Sequence, residues 1–524
     1  KPDAQKGGDK PEETVNVKID ADGIFDRTVK LVGNMGRASI IYCDGKKVYY
    51  STGRETKAID MATLEDTKLF DGRMSVQGDK AIVTASGREG TKVYVLDKIP
   101  AGKTNLENAV NLGDLSTIVD WKQEWAQLFD EAWRAYRDGF YLENMHGVDW
   151  KAIKTKYEVL VPYAKTRLDL NYIIGEMIGE LTCGHCYVNP GEYAKPERIP
   201  MGLLGAEITL DKSGFFRIAH IYQGAPYAKN LFSPLAEQGL EVKEGDFITA
   251  IDGVSVTTTQ NIYSLLVGKA GKLTELTINT KAAAGGRKVV VKPIADEDPL
   301  MHYEWVQKNV KYVEEKSGGK IGYVYIPDMS AEGLNEFSRY FYAQLDKEAL
   351  IVDDRANGGG NVSPMVLERL MRECYRITMR RGTTMTGTIP EGTLVGPKVC
   401  LVNKYSASDG DLFPWSFKAT QTGKLIGTRT WGGIVGISGS LPYIDGTDIR
   451  VPFFTNYDAK SGQWIVENHG VDPDILVDND PIQEEAGVDQ QLDKAIEVLL
   501  EEIKTRKPLP GVPAPRDFSK VGLK

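Results

Sequence analysis

Apolar and polar positions along this chain change rhythm three times. Between residues 14 and 114, short runs alternate at every second position: VNVKI, KLVGN, ASIIYCDG, KKVYYSTG, TKAIDMAT, KAIVTASG and TKVYVLD. Alternation broken by DG, TG and SG pairs predicts antiparallel strands joined by hairpins. Near Ile118 the period lengthens. DWKQEWAQLFDEAWRAYRDGFY sets Trp121, Trp125, Phe129, Trp133 and Tyr136 along one helical face, and VDWKAIKTKYEVLV and LDLNYIIGEMIGELT predict two more helices. The aromatic stripe reads as core packing, not as a ligand box. Strand-like alternation returns at 198–296 with one helix. From 318 to 480 the apolar runs KIGYVYIP, ALIVDDR, KVCLVNK and KLIGT alternate with helical LNEFSRYFYAQL, VSPMVLERLMREC and DLFPWSFKAT. Continuous apolar strands between helices predict an α/β layer buried on both faces. VDQQLDKAIEVLLEEIK is a last amphipathic helix, and PLPGVPAPRDF an extended proline-rich tail.

The expected organisation is multidomain, mixing β and α/β parts. A linker (1–13) leads to antiparallel β (14–114), a helical part (115–197), a strand-rich module (198–296), an α/β domain (297–480) and a C-terminal helix with its tail (481–524). The strands of 14–114 suffice for roughly two propeller-like blades at ~40–50 residues each. With the polar opening KPDAQKGGDKPEE, and Lys1 in place of Met, the expectation is the end of a propeller-like domain in a longer protein.

Composition narrows the function classes. With 41% hydrophobic and 26% charged residues over 524 positions, the chain is not a disordered one. It holds 64 Lys and Arg against 73 Asp and Glu, net −9, with no basic run, which excludes a nucleic-acid binder. No stretch approaches the ~18 apolar residues of a spanning helix. The cysteines, Cys43, Cys183, Cys186, Cys374 and Cys400, are too few and scattered for a disulfide framework. Their scarcity is compatible with the cytoplasm, with the periplasm as the alternative.

The histidines are His146, His185, His220, His302 and His469, so a base in side-chain hydrolysis is sought among these. A nucleophile candidate is Ser408, in Ser406-Ala407-Ser408-Asp409-Gly410 between a strand and a helix. The frame approximates the G-x-S-x-G elbow, whose turn presents the hydroxyl while the following N–H groups face an oxyanion. A plain helix cap is the competing reading. Gly358, Gly359 and Gly360 follow a buried strand and form an anion-binding nest without the GK[ST] of a P-loop, which suits an oxyanion loop. Cys183-Gly184-His185-Cys186 copies a thiol–disulfide redox motif, but it follows a helix and enters a strand, the reverse of the order that chemistry needs. No second cysteine pair completes a zinc site, and no metal or other cofactor is expected.

Two resemblances add to this. GLEVKEGDFITAIDGVSV (Gly239–Val256), the expected helix NIYSLLVGKA and the strand LTELTINT resemble the signature of PDZ domains. MGLLGAEI then stands where such domains keep the loop that captures a peptide C-terminus, which implies a peptide-binding role for Gly202, Leu203, Leu204 and Gly205. A PDZ fold serving as a rigid spacer is the alternative.

The order of L-T-x-G-H-x-Y-V, PDZ-like insert, glycine-rich loop and Y-x-x-S-D-G-D, with GKLIGTRTWGGIVGI (Gly423–Ile437) and WIVENHGVDPDI (Trp464–Ile475), resembles the catalytic half of the tricorn protease family. That family is related to the tail-specific, C-terminal-processing serine peptidases, and the likeness covers about residues 14 to 524. It implies a serine peptidase acting on oligopeptides from upstream protein degradation. Ser408 is then the nucleophile, His185 the general base and Glu467 the group that orients the histidine. The amides of Asp409 and of Gly359 or Gly360 form the oxyanion hole. The family has a serine immediately before the histidine, linking it to the glutamate, where this chain has Gly184. The link is then direct, through water or through Thr182, or the acid matters less in this chain. Members preferring basic residues use an acidic specificity residue, whereas the corresponding Tyr375–Gly382 reads YRITMRRG. The resemblance further implies N-terminal β-propellers and a homo-oligomer, typically a hexamer. A PDZ-containing scaffold with a dead catalytic domain, and a thiol–disulfide oxidoreductase using Cys183 and Cys186, are the competing functions.

Overall fold

A computed structural model describes residues 18–522 apart from 32–37, 88–89, 192, 194–195, 226, 382–385 and 441. The expected linker 1–13 lies outside them. The chain forms two compact units, Lys1–Val119 and Asp120–Lys524.

The first unit is antiparallel β throughout its described strands. β1 (Ser39–Cys43), β2 (Lys47–Ser51), β3 (Glu55–Asp60) and β4 (Asp66–Asp71) make one meander, and β5 (Arg73–Gln77), β6 (Lys80–Gly87) and β7 (Gly90–Leu96) a second, three-stranded one. Two small meanders, one four-stranded, are propeller-like, and they do not close a barrel. Their shared core holds Tyr49, Leu69, Phe70, Met74 and Val83. VNVKI and KLVGN fall largely outside the described residues, and the parts described (Lys18, Ile19, Lys30, Leu31) are not strand.

In the second unit, α1 (Trp121–Gly139), α2 (Trp150–Glu158) and α3 (Arg167–Gly179) pack around Trp125, Phe129, Tyr136 and Trp150. Trp133 donates its indole N–H to the Trp150 carbonyl (2.8 Å), and Trp150 returns the bond to Trp133 (3.0 Å). Trp125, Phe129 and Tyr136 of the stripe are core and Trp133 packs half-buried against it, whereas Trp121, at the start of α1, is exposed. β8 (Tyr187–Val188) follows α3 after seven residues.

The strand-rich module has β9 (Ala206–Leu210), β10 (Phe216–Ile221), β11 (Phe247–Ile251), β12 (Val254–Ser255), β13 (Thr274–Asn279) and β14 (Arg287–Val291), with the sheet path β14-β13-β11-β10-β9. The helix expected in NIYSLLVGKA is only a 3-10 turn, Ile262–Leu265. The chain leaves it early because its next residues pair elsewhere. Leu266 accepts the Gly202 N–H (2.9 Å), and Gly268, at φ +69°, donates to Pro200 (2.9 Å).

α4 (Asp298–Ser317) leads into a five-stranded, wholly parallel sheet. Its strands are β15 (Ile321–Tyr325), β16 (Ala349–Asp353), β19 (Lys398–Val402), β20 (Lys424–Gly427) and β23 (Ile475–Leu476), in that spatial order. α5 (Ala331–Tyr342), α6 (Ser363–Leu370), α7 (Asp409–Ala419) and α9 (Gln490–Thr505) surround it, with the short α8 (Pro481–Glu485) ahead of α9. Every residue of β15, β16 and β19 is buried, the reason these strands read as unbroken apolar runs. The hairpin β17 (Arg376–Met379) and β18 (Thr386–Ile389) intervenes. β21 (Gly436–Gly439) and β22 (Ile449–Phe454) form a small sheet that takes in β8, joining the end of the helical part to the α/β part.

Candidate active site

Ligand sites of open parallel sheets lie beyond the carboxyl ends of the strands. Here the loops after β16 and β19 meet there. The turn following β19 is stitched to the loop after β16: Ser406 donates its hydroxyl to the Asp354 carbonyl (2.8 Å), Ala407 its N–H to the Asn357 carbonyl (2.9 Å), and Ala356 its N–H to the Asn403 side chain (2.9 Å). Arg355 anchors that loop by pairing with Asp353 (2.6 Å) and with Asp489 at the start of α9 (2.7 Å).

Ser408 ends the turn at φ 60°, ψ −119°, a conformation that L residues rarely adopt and that surrounding contacts must enforce. Asp411, three residues on, accepts the Ser408 N–H (2.9 Å). It also accepts the N–H groups of Gly432 (2.8 Å) and Gly433 (3.3 Å), and burial pushes its carboxyl up to about 6. On the other side stands Gly359, at φ +87°. A Cβ there would lie 2.5 Å from the Ser408 Cβ and 2.9 Å from the Asp409 amide nitrogen.

The glycine loop distinguishes the two amides that the sequence left as alternatives. Gly359 donates its N–H to the Asn357 side chain (2.9 Å), so that amide is spoken for. Its carbonyl accepts from Met329 (2.8 Å), a bridge that leaves the Gly360 N–H without a partner among the described residues. The Asp409 N–H, first in α7, is likewise unpaired, as first-turn amides are. Its side chain accepts the N–H and hydroxyl of Ser363 (3.0 and 2.5 Å), tying α7 to α6.

His185 lies between α3 and β8, at φ 56°, its ring 5.4 Å from that of Trp431. Its Nδ1 is buried with no partner among the described residues, and burial lowers its basicity while the charge of Glu467 raises it. No hydrogen bond joins His185 to the Ser408 hydroxyl among the described residues. Glu467 does not bond the ring either. Its Oε1 accepts the Gly184 N–H (2.8 Å) and its Oε2 the N–H of Ile434 (2.7 Å). The hydrogen bond by which Glu467 reaches this segment is thus to the backbone N–H immediately ahead of the histidine. A Cβ on Gly184 would stand 3.1 Å from Oε1.

Residues 431–435 thus join everything. Trp431 packs on His185 and donates its N–H to the Ser406 carbonyl (3.0 Å), Gly432 and Gly433 hold Asp411, and Ile434 holds Glu467. Trp431, Asp411 and Asn357 escaped the sequence reading as site residues. Asp411 left a signal, the S-x-x-D spacing of a capping box after Ser408. Trp431 and Asn357 left none, because their roles rest on contacts far along the chain.

The other expected residues lie elsewhere. Cys183 and Cys186 are free thiols flanking His185, ahead of β8 and not at a helix start, and the Cys183 sulfur lies 3.9 Å from Glu467 Oε1. In the PDZ-like loop, Gly202 and Leu203 donate their N–H groups to Leu266 (2.9 Å) and Ile294 (2.7 Å), and Gly205 to Glu297 (2.6 Å). Backbone partners close the Gly202 and Leu203 amides to an incoming carboxylate, which corrects the peptide-capture expectation for these two, whereas Gly205 is held by a side-chain carboxylate. Leu204 is buried, its amide facing the same Glu297 carboxylate. Among the described residues no group of three or more His, Cys, Asp or Glu is placed to hold a metal ion, and no helix is long and apolar enough to cross a membrane.

Comparison with known proteins gives three family matches in one order. Residues 121–179 match the tricorn protease C1 domain, 202–296 the tricorn protease PDZ domain and 320–477 peptidase family S41. The chain belongs to the tricorn protease family. It is 37% identical over 446 residues to tricorn protease homolog 1 of Streptomyces coelicolor, a match covering 84% of this chain and 41% of that one. It is 34% identical over 467 residues to the tricorn protease of Thermoplasma volcanium (88% and 44%). The crystal structure of the tricorn protease superposes with a TM-score of 0.78 at 32% identity, over 89% of this chain and 45% of that one. The tricorn-type chain described here spans about half the length of the curated relatives it matches.

Proposed function

We propose that this chain is the peptidase part of a tricorn-type enzyme and cleaves oligopeptides through Ser408, His185 and Glu467. The observation that carries the reading is the strained Ser408 elbow with two unpaired amides, Asp409 and Gly360, beside it. In the proposed reaction His185 takes the Ser408 proton as Oγ attacks the scissile carbonyl carbon. The resulting oxyanion accepts from the Asp409 and Gly360 N–H groups. The imidazolium then gives its proton to the leaving amine, and the peptide C–N bond breaks to leave an ester on Ser408. Water, deprotonated by the same histidine, hydrolyses that ester. Glu467 fixes the peptide unit ahead of His185, and its charge favours the imidazolium.

The test is Ser408→Ala. It should abolish peptide hydrolysis and labelling by a serine-reactive phosphonate. A variant that still labels and cleaves like the wild type overturns the assignment. The full assembly is proposed to be a homo-oligomer, a hexamer, working in the cytoplasm, which sedimentation and cell fractionation check.

The missing Ser408–His185 hydrogen bond favours one other reading, a peptide-binding scaffold with an impaired catalytic domain. Binding without turnover across a broad peptide panel would select it.

A further inference from the structure

The loop at 201–205 precedes β9, which lies at the edge of its sheet, where an added peptide strand would align. Its carboxylate cradle is not empty. Oε1 of Glu297 accepts the N–H of Gly205 (2.6 Å) and of Ala206 (3.4 Å), and the Leu204 amide also faces this carboxylate. Gly205 takes φ +72°, and its back is closed: a Cβ would lie 2.7 Å from Ser233 Oγ and 2.9 Å from Pro234.

Glu297 is half-buried and forms no ion pair among the described residues. The charge of Asp296, of the same sign, adds to burial in raising its pKa. Only backbone dipoles compensate it, the chemistry of an anion nest. Ser233, 5% exposed, lies directly behind Gly205, and its hydroxyl has no partner among the described residues. Glu297 also sits immediately before α4, which packs on β15 of the parallel sheet.

We infer that Glu297 is a built-in ligand of the carboxylate-binding loop. Its side chain stands where the C-terminal carboxylate of a peptide would dock, and it latches the PDZ module to α4. An intramolecular ligand competes at an effective concentration in the millimolar range. Free C-termini at lower concentration therefore leave the loop closed, and the module holds a fixed pose beside the peptidase sheet. The inference concerns the module alone and stands whether or not Ser408 is the nucleophile.

The experiment uses the full chain carrying Ser408→Ala, so that the probe is not consumed. The probe is a fluorescein-labelled pool of hexapeptides with randomised last three positions, made as free acids and as C-terminal amides. With Glu297 present, acid and amide should bind alike in anisotropy titrations. With Glu297→Ala, the acid should bind about tenfold tighter or more than the amide. A tenfold acid preference with Glu297 in place overturns the proposal, as does no acid preference in a folded Glu297→Ala chain. A readout that needs no variant is hydrogen exchange at the Gly205 amide of the unmodified chain without peptide. Protection supports the latch, and exchange at the rate of an exposed amide overturns it.

Discussion

Gly359 and Ser408 touch so closely that a single methyl group could not be placed between them: the missing Cβ of the glycine would lie 2.5 Å from the Cβ of the serine. Gly359→Ala must move the elbow, and the positive φ adds backbone strain. The expected outcome is a loss of roughly 10²–10³-fold in kcat/KM, the magnitude of a displaced oxyanion donor. Gly358, one residue away, has open space where its Cβ would be. Gly358→Ala should keep activity near wild type. Equal loss in both variants would mean that general loop flexibility matters, and not this contact.

The acid limb of activity should report His185. Burial lowers its pKa below the ordinary 6.5, so the ring stays neutral at pH 7, and with His185 as the proposed base kcat/KM should fall only as pH drops below that value. The charge of Glu467 pulls the other way. Glu467→Gln should move the limb further to acid and reduce the rate by about 10–100-fold. A limb that moves towards neutral on this substitution contradicts the electrostatic role.

Two buried carboxyls near Ser408 should respond oppositely to amidation. Asp411 accepts three backbone N–H groups, and in Asp411→Asn the side-chain NH2 confronts donors. Activity should fall about tenfold or more, since leaving such donors unmet costs about 1–3 kcal/mol.

Asp354 is the other. It is fully buried, and burial beside Asp353, Asp411 and Asp409 raises its pKa well above 3.8 against the opposing pull of the Asn357 side chain. The folded chain therefore holds a proton that the unfolded chain releases, and stability is lost as pH rises from about 4 towards neutrality. Asp354→Asn should flatten that slope and raise the unfolding temperature at pH 7, as scanning calorimetry across pH 4–7 would record. A lowered unfolding temperature would show that the charge is compensated.

The paired thiols provide a further check. Cys183→Ser with Cys186→Ser should preserve peptide hydrolysis, and the unaltered chain should not reduce insulin. Reduction lost in the double variant would restore the oxidoreductase reading.

Local pattern determined most of the elements, though not the 3-10 turn Ile262–Leu265, where a helix was expected. Burial on both faces makes β15, β16 and β19 read as unbroken apolar runs, one-face burial makes α1 read as an aromatic stripe, and a strand–turn–helix passage marks Ser408. Family resemblance singled out His185 and Glu467, which periodicity could not. Only the tertiary structure decided how these groups are held. The Gly359 N–H is taken because Asn357 folds back onto it; Glu467 grips the amide of Gly184 instead of the imidazole; and Glu297 reaches across 92 positions to the loop before β9. Each is a hydrogen bond to a backbone N–H. Every non-proline residue carries that donor, so the sequence does not mark which one a distant side chain will meet.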